Sequence, residues 1–303
     1  MDAKEAARSL SICKLCPRNC GADRAVFPGA CGVGEEVMLA RAARHFGEEP
    51  CLAGEGGSGA VFFSGCSLGC VFCQNAPISG KDPFGKPVTE ERLARIFLEL
   101  QAEGAETIDL VTAAHFTPAV VCALGRVKDK LNIPVVWNSG GYEKPETLKL
   151  LEGLVDIYLP DFKFASPDLA ARLCRAPDYP QVAQAAIEEM FRQTGACRFD
   201  EDGKLKRGVL VRHLVLPGGK ADSLAVLELL KRLFPDPSVI RLSLMRQYTP
   251  MPSCPAPALS RRVTGVEYER VLERAAKLGF EGYSQEKESI GTAAIPAFDG
   301  TGV

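Results

Sequence analysis

The 303-residue sequence has no excess of charge of either sign and no long apolar segment. It contains 36 Lys and Arg residues against 38 Asp and Glu residues, which gives a formal net charge of −2 at pH 7. This balance gives no electrostatic reason to expect nucleic acid or an anionic membrane as the main partner. No uninterrupted apolar run reaches the length of a transmembrane helix, so we expect no membrane partner either.

The first residues also lack the features of a secretion signal. The stretch Met1–Arg8 is charged and has no apolar core, so we expect no signal peptide, and residues 4–12 predict an amphipathic helix instead. The chain nevertheless has 12 cysteines. Without an export signal, these indicate metal or redox chemistry in a reducing compartment and not a disulfide framework. We therefore expect a cytoplasmic protein.

Three cysteines stand close together in the segment Cys66-Ser-Leu-Gly-Cys70-Val-Phe-Cys73, directly after the apolar run 60–65. The run predicts a short buried strand, and α/β folds build active sites where strands end. A cubane [4Fe–4S] cluster takes one thiolate per iron. Three cysteines therefore leave one iron open to a substrate or cofactor, as in a catalytic metal site. A zinc site and three unrelated core cysteines are the alternatives.

A second group of cysteines lies nearer the N-terminus, at Cys13, Cys16, Cys20 and Cys31. Several glycines surround it and suit a chain wrapped tightly about a metal. Four thiolates are enough to close a tetrahedral zinc site or to hold a second iron–sulfur cluster. The Cys16–Pro17 step is shared with bacterial ferredoxins and favours a second [4Fe–4S] cluster. Zinc and free thiols remain as alternatives.

From residue 60 onward, strand-like and helix-like segments alternate along the chain. The expected strands are 60–65, 107–112, 133–138, 155–160, 208–216 and 238–245. The expected helices are 89–103, 118–131, 145–152, 181–195, 222–234 and 265–278. Such alternation predicts an α/β fold with a parallel sheet and right-handed crossovers. By itself it fits either a partial barrel or an open, doubly wound sheet.

The spacing of the central cysteines, with Phe72 just before the last one, resembles the signature of the radical S-adenosylmethionine enzymes. The best match is a little-characterised branch related to the pyruvate formate-lyase activating enzymes, and the resemblance covers residues 13 to about 285. It implies a partial (β/α)6 TIM-like barrel over residues 56–290. A small cysteine-rich module, residues 1–55, would precede the barrel, and a loose tail, residues 291–303, would follow it.

The resemblance also implies a chemistry. In that family, S-adenosylmethionine chelates the open iron of the cluster through its amino and carboxylate groups. One electron, provided by a donor such as flavodoxin or ferredoxin, cleaves the sulfonium to methionine and a 5′-deoxyadenosyl radical, which abstracts a hydrogen from the substrate. Cys66, Cys70 and Cys73 would then be the catalytic cluster ligands. The cofactors carry the difficult chemistry, and the protein supplies placement and shielding.

Function in such a barrel is expected at the carboxyl ends of the strands. The candidate cofactor-binding residues there and in the cysteine loop are Phe72, His115, Asn138, Ser139, Lys163, Arg212 and Leu214. By resemblance to the activating enzymes, Asn138 and Ser139 lie in the ribose-contacting segment, with Asn138 in place of an aspartate. Lys163 would pair with the methionine carboxylate, or else form a surface salt bridge. Leu214 falls at the adenine-contacting position.

Two of these candidates rest mainly on their own chemistry. His115 stands where relatives carry a Gly-Gly-Glu segment, so only its position matches. It is a candidate for contact with methionine or substrate, and a helix cap or a buried turn is the alternative. Arg212 lies in an apolar strand, where an unpaired charge is costly. We therefore expect it to face the barrel interior and bind an anion.

Three functions follow from these observations. The first is a radical S-adenosylmethionine enzyme that acts on a protein, with a glycyl radical enzyme as the leading substrate. The second is the same chemistry on a small molecule or RNA. The third, from a different class, is a zinc-stabilised binding protein without catalysis. The substrate stays open among these functions, because a fold and a motif do not fix it.

Overall fold

The computed structural model describes residues 12–250, 256–285 and 295–303, so the helix expected over residues 4–12 lies outside it except for residue 12. The strands are β1 Val37–His45, β2 Ser58–Phe63, β3 Lys86–Val88, β4 Thr107–Val111, β5 Val135–Ser139, β6 Ile157–Pro160, β7 Arg198–Phe199, β8 Leu205–Leu214, β9 Arg241–Met245 and β10 Gly282–Ser284. The helices are α1 Pro50–Ala53, α2 Ala76–Ser79, α3 Glu90–Ala102, α4 Thr117–Val127, α5 Pro145–Leu148, α6 Pro167–Cys174, α7 Tyr179–Thr194, α8 Lys220–Leu233 and α9 Gly265–Lys277.

The main sheet is parallel and its strands follow one another in chain order. Among the described residues, β2, β4, β5, β6, β8, β9 and β10 form a continuous parallel series. A doubly wound sheet reverses its strand order at a switch point, whereas a barrel does not. The sheet is therefore of the partial-barrel type and is not closed. This confirms the expected α/β class and excludes the doubly wound alternative.

The expected strands and helices all occur, with boundaries shifted by a few residues. Three helices were missed, and two of them, α1 and α2, have only four residues each. The third is α6. α6 begins at the N-cap Ser166, whose Oγ accepts a hydrogen bond from Leu169 N, and it has a proline in its first turn. These are ordinary helix-start signals, but the helix has only eight residues. A tenth strand, β10, also extends the parallel series beyond the six expected strands.

The strand that precedes the cysteine loop's own strand along the chain is β1, Val37–His45. It pairs antiparallel with β2 on one side and with β3 on the other. The polypeptide between β1 and β2 then enters the concave side of the sheet. There Cys51 and Leu52 of α1 pack against interior side chains of β5, β6 and β8. This plug fills part of the barrel interior with side chains of the chain itself.

The end of the chain lies along β1. Gly300 N donates to Ala40 O and Ala42 N donates to Thr301 O, both at 2.9 Å, and the Phe298 ring packs edge-on against Phe62. A loose tail was expected here because residues 291–303 contain few packing side chains. In the described part, 295–303, backbone hydrogen bonds hold the segment instead. Amino-acid composition cannot predict such bonds, because every residue type except proline has a backbone N–H. Among the described helices, none is both long and apolar enough to cross a bilayer.

Candidate active site

A cavity of about 730 Å³ opens at the carboxyl ends of the parallel strands. Nine of the residues singled out from the sequence line it, namely Cys66, Cys70, Phe72, Cys73, Asn138, Ser139, Lys163, Arg212 and Leu214. They come from the loop after β2 and from the ends of β5, β6 and β8. The alternation of side chains along each strand aims every second residue at the interior.

Strand register brings these residues to one level. Val111 pairs with Phe62 on one side and with Asn138 on the other. Across the next strands, Asp161 is bridged to Arg212, which pairs in turn with Ser243 of β9. Neighbouring residues in register lie side by side across a sheet. The polar groups at the strand ends therefore face a single space even though they are far apart in sequence.

The loop that carries the three cysteines is held by backbone contacts from other parts of the chain. Cys66 N donates to Cys31 O at 3.0 Å, and Val71 N donates to Leu173 O, also at 3.0 Å. Gly65 before the loop has φ of +90°, and a Cβ there would lie 2.8 Å from Cys31 O. Only glycine suits this close approach. The N-terminal cysteine segment thus rests directly on the start of the loop.

The environment of the three loop cysteines disfavours ionisation of their thiols. Burial raises the pKa of Cys66 to about 11, with further contributions from the neighbouring Cys70 and Cys73. A hydrogen bond shared with Cys174 and burial raise the pKa of Cys70 well above its usual value. Burial also raises the pKa of Cys73. Three thiolates are stable here only with a cationic partner, which is the requirement of a metal cluster.

The arrangement fits a cluster better than a single ion. Within residues 12–250, 256–285 and 295–303, no three His, Cys, Asp or Glu side chains converge closely enough to hold one metal ion. A zinc site brings all its ligands onto one ion, whereas a cubane takes each thiolate on a separate iron and so keeps them apart. The three loop cysteines line one cavity, and three thiols are the donor set of a cluster that keeps one iron open.

Lys163 presents a charged ammonium at the same cavity. Its Nζ forms an ion pair with the Asp161 carboxylate. Burial opposes the lysine charge, but Asp161 outweighs it, so the pKa of Lys163 is raised well above its usual value. Tyr179 fixes this corner, because its hydroxyl oxygen accepts from Lys163 N and the hydroxyl also lies 2.9 Å from Gly140 O. The ends of β5 and β6 are thereby locked together.

Arg212 faces the interior, and its anionic partners belong to the chain itself. Its Nε donates to Glu49 Oε1 at 2.8 Å, and its Nη2 contacts the carboxylates of both Glu48 and Glu49. All three side chains are largely buried. The anion expected at Arg212 is thus a pair of glutamates rather than a ligand. Sequence reasoning missed them because they lie more than 160 positions away, in a connection without strand or helix periodicity.

Asp109 of β4 lies against this ion pair. Its Oδ2 accepts from Asn138 Nδ2 at 3.1 Å, while its Oδ1 has no hydrogen-bond partner among the described residues. Burial and the nearby Glu48 charge raise the pKa of Asp109 well above its usual value. The charged form of Asp109 is thus disfavoured beside a cluster of charged side chains.

His115 does not line the cavity, so its expected contact with methionine or substrate has no support. The side chain is buried, and its Nε2 donates to Ser64 O at 2.8 Å. Burial lowers the pKa of His115 to about 3, which keeps the imidazole neutral. Ser64 immediately precedes the cysteine loop, so His115 braces that loop from behind. This environment agrees with the alternative role of His115 as a structural histidine in a buried turn.

The four N-terminal cysteines lie together above the cysteine loop. Cys13, Cys16 and Cys31 are buried and Cys20 is exposed. A Cβ at Gly29 would lie 3.4 Å from Cys31 Sγ and 3.6 Å from Cys20 Sγ, so these two sulfurs flank one glycine. Like the loop cysteines, the four do not converge on a point that would hold one ion, within the part of the chain that the structure describes.

Replacing Asp109 by asparagine tests whether this carboxyl is neutral. A carboxyl whose folded pKa is raised costs stability as pH rises above its unfolded value, about 3.9, and the cost is complete above the folded pKa. We expect Asp109→Asn to raise the melting temperature at pH 7.5 by roughly 2–4 °C and to have no such effect below about pH 4.

Asp200→Asn is the matched control for this prediction. Hydrogen bonds from the Lys204 backbone and from Lys206 lower the pKa of that surface aspartate. Replacing its carboxylate should therefore not raise the melting temperature at pH 7.5. If Asp109→Asn lowered the melting temperature at pH 7.5, the carboxyl would be an ionised partner of Arg212 rather than a neutral acid.

Residues 60–194 match the family model described as Radical SAM superfamily. Over 280 residues, the chain is 30% identical to "Uncharacterized protein MJ0674" of Methanocaldococcus jannaschii, in an alignment that covers 89% of this chain and 75% of that protein. Among solved structures, a radical SAM methyltransferase from Sphaerobacter thermophilus is similar with a TM-score of 0.52 at 14% identity. The match covers 75% of this chain and only 65% of that one, so it supports the fold alone. On its cysteine loop, its sheet and these similarities, the chain belongs to the radical S-adenosylmethionine superfamily.

Proposed function

We propose that this chain cleaves S-adenosylmethionine reductively in the strand-end cavity and directs the 5′-deoxyadenosyl radical at a hydrogen atom of a second substrate. The observation that carries the proposal is that the thiols of Cys66, Cys70 and Cys73 and the ammonium of Lys163 line one cavity of about 730 Å³. When bound by the three thiolates, a [4Fe–4S] cluster supplies the electron for the cleavage. A small electron-transfer protein such as flavodoxin or ferredoxin would provide that electron.

The chain's own residues would bind and orient S-adenosylmethionine. The Lys163 ammonium, held by Asp161, is suited to a charge-assisted hydrogen bond with the methionine carboxylate. Asn138 offers a polar group that a ribose can accept, whereas the Ser139 hydroxyl is buried and donates to Glu143. Phe72 and Leu214 offer apolar surface for the adenine. All of these side chains line the cavity, and their assignment to parts of S-adenosylmethionine follows the resemblance to the activating enzymes.

The remaining wall of the cavity bears on the substrate. It contains Glu48 and Glu49, which share the single charge of Arg212, and Ile295 and Pro296 from the end of the chain. Two carboxylates against one guanidinium leave this wall unsuited to phosphate groups, which argues against RNA. A protein glycine is the first candidate because the strand-end segments resemble the glycyl-radical activating enzymes. A small molecule is the second.

Single alanine replacements at Cys66, Cys70 and Cys73 test the radical chemistry. Each removes the thiolate of one iron, so we expect no 5′-deoxyadenosine from any of the three after anaerobic loading with iron and sulfide and reduction with dithionite. The product is measured by chromatography. Cys122→Ala, a half-buried cysteine on α4, is the control and should keep the parental rate. Parental yield from a loop variant would refute the assignment.

Lys163→Ala tests the proposed carboxylate clamp. A charge-assisted hydrogen bond is typically worth about 1.5–3 kcal/mol, so we expect S-adenosylmethionine to bind roughly ten- to a hundredfold more weakly while the iron content stays unchanged. Calorimetry on the anaerobically loaded proteins measures the affinity of the parent and of the variant for S-adenosylmethionine. Lys206→Ala removes a lysine that is likewise paired with an aspartate, Asp200, on the surface, and should change nothing. Equal affinity in the Lys163 variant would show that the ammonium serves only Asp161.

We further propose that Cys13, Cys16, Cys20 and Cys31 hold a second [4Fe–4S] cluster. The support is their proximity, because burial raises the pKa of Cys16 and the nearby Cys31, Cys13 and Cys20 raise it further. The Cys16–Pro17 step, which is shared with bacterial ferredoxins, favours iron–sulfur over zinc. The Cys66→Ala/Cys70→Ala/Cys73→Ala triple variant isolates the N-terminal group. After anaerobic loading, we expect about four irons per chain and visible absorbance, since one cubane holds four irons. One zinc without colour, or no metal in a folded chain, would overturn this assignment.

A further inference from the structure

One cysteine outside both groups contacts the cluster loop. Cys174 is the last residue of α6 and is completely buried. Its Sγ lies 3.1 Å from Cys70 Sγ. No spacing in the sequence singled it out, because α6 itself was missed and the two cysteines are 104 positions apart.

The contact is that of a hydrogen bond. A disulfide would need sulfurs about 2.05 Å apart, and the two are well beyond that distance. Two ligands of one cubane sit on separate irons, so a sulfur that touches the sulfur of another ligand is badly placed to be a ligand itself. A thiol is a weak donor, and a thiolate accepts strongly because it is charged. While both sulfurs are protonated, the hydrogen bond between them raises the pKa of Cys70. Once Cys70 binds iron as a thiolate, Cys174 alone of the two carries a proton, so it is placed as the donor.

The backbone fixes this placement independently of the two thiols. Val71 N, next to Cys70, donates to Leu173 O at 3.0 Å. The Nη2 of Arg18 donates to Cys174 O at 2.7 Å and to Leu68 O at 3.2 Å, so one guanidinium bridges α6 and the loop. The end of α6 and the cysteine loop thus form one unit. The sulfur of Cys174 is delivered to Cys70 whether or not it is protonated.

We infer that Cys174 donates an S–H···S hydrogen bond to the Cys70 thiolate and thereby raises the reduction potential of the cluster. Added electron density on reduction is shared by the sulfur ligands, so a donor to one of them stabilises the reduced cluster more than the oxidised one. Hydrogen bonds to sulfur are among the features that set the potential of such clusters. Cys174 would be a positioning residue that acts through Cys70. This inference goes beyond the proposed function and does not depend on the substrate.

The test measures the midpoint potential of the loaded cluster. The electron paramagnetic resonance signal of the reduced cluster is monitored during a redox titration. The relevant signal is the one that S-adenosylmethionine perturbs, which identifies the cluster with an open iron. We expect Cys174→Ala to shift the reduction equilibrium about tenfold toward the oxidised form. For a one-electron couple, this lowers the midpoint potential by about 59 mV. Cys174→Ser keeps a donor of nearly the same size and should stay at or above the parental potential.

Cys197→Ala is the matched control, because Cys197 also donates through sulfur, to Val209 O at 3.3 Å, but does not line the cavity. It should leave the potential unchanged. A parental potential in Cys174→Ala with full iron content would overturn the inference. Loss of iron from both Cys174 variants in folded protein would also overturn it and would make Cys174 a ligand. Neither measurement involves substrate turnover, so failure here is distinct from failure of the proposed function.

Discussion

Three half-buried thiols on one short loop are the constraint around which the rest of the structure is arranged. Such thiols disfavour ionisation, and a loop of eight residues cannot hold their positions by its own hydrogen bonds. The loop is therefore supported from three directions. Cys31 O accepts from its first amide, Leu173 O accepts from its middle, and His115 fixes Ser64 just before it. A site preorganised in this way needs little rearrangement when its ligand binds.

The charges of the cavity are divided between two walls. On one side, Lys163 shares a single carboxylate, Asp161, and keeps donor capacity for another anion. On the other, Arg212 is saturated by Glu48 and Glu49, and removing one member of such a buried group would leave an uncompensated charge. Two cationic strand-end residues that looked alike in sequence therefore have opposite uses. One is available to a ligand and the other anchors the plug inside the barrel.

Much of this could be predicted from local sequence, and the reasons for the rest are physical. Cysteine spacing and strand periodicity are short-range signals, and they located the loop, the strands and nine of the residues that line the cavity. The partners of Arg212 and Cys70 lie far away in sequence, where no periodicity points to them. For His115 the sequence left two roles open, because a polar residue after a strand suits a ligand and a turn equally well. Only the neighbouring Ser64 carbonyl decides between them.

Arg18 connects features that the sequence presents as separate. It lies between Cys16 and Cys20, and its guanidinium reaches Ser67 O at 2.7 Å and Leu68 O in the cysteine loop. The same group holds the end of α6 at Cys174 O. An arginine can satisfy several carbonyls at once because its five N–H donors are fixed in one plane. The N-terminal cysteines, the central loop and α6 are thus joined through one side chain. A change in the backbone around Cys16 and Cys20 would be transmitted to the loop, because the Arg18 guanidinium is hydrogen-bonded to it.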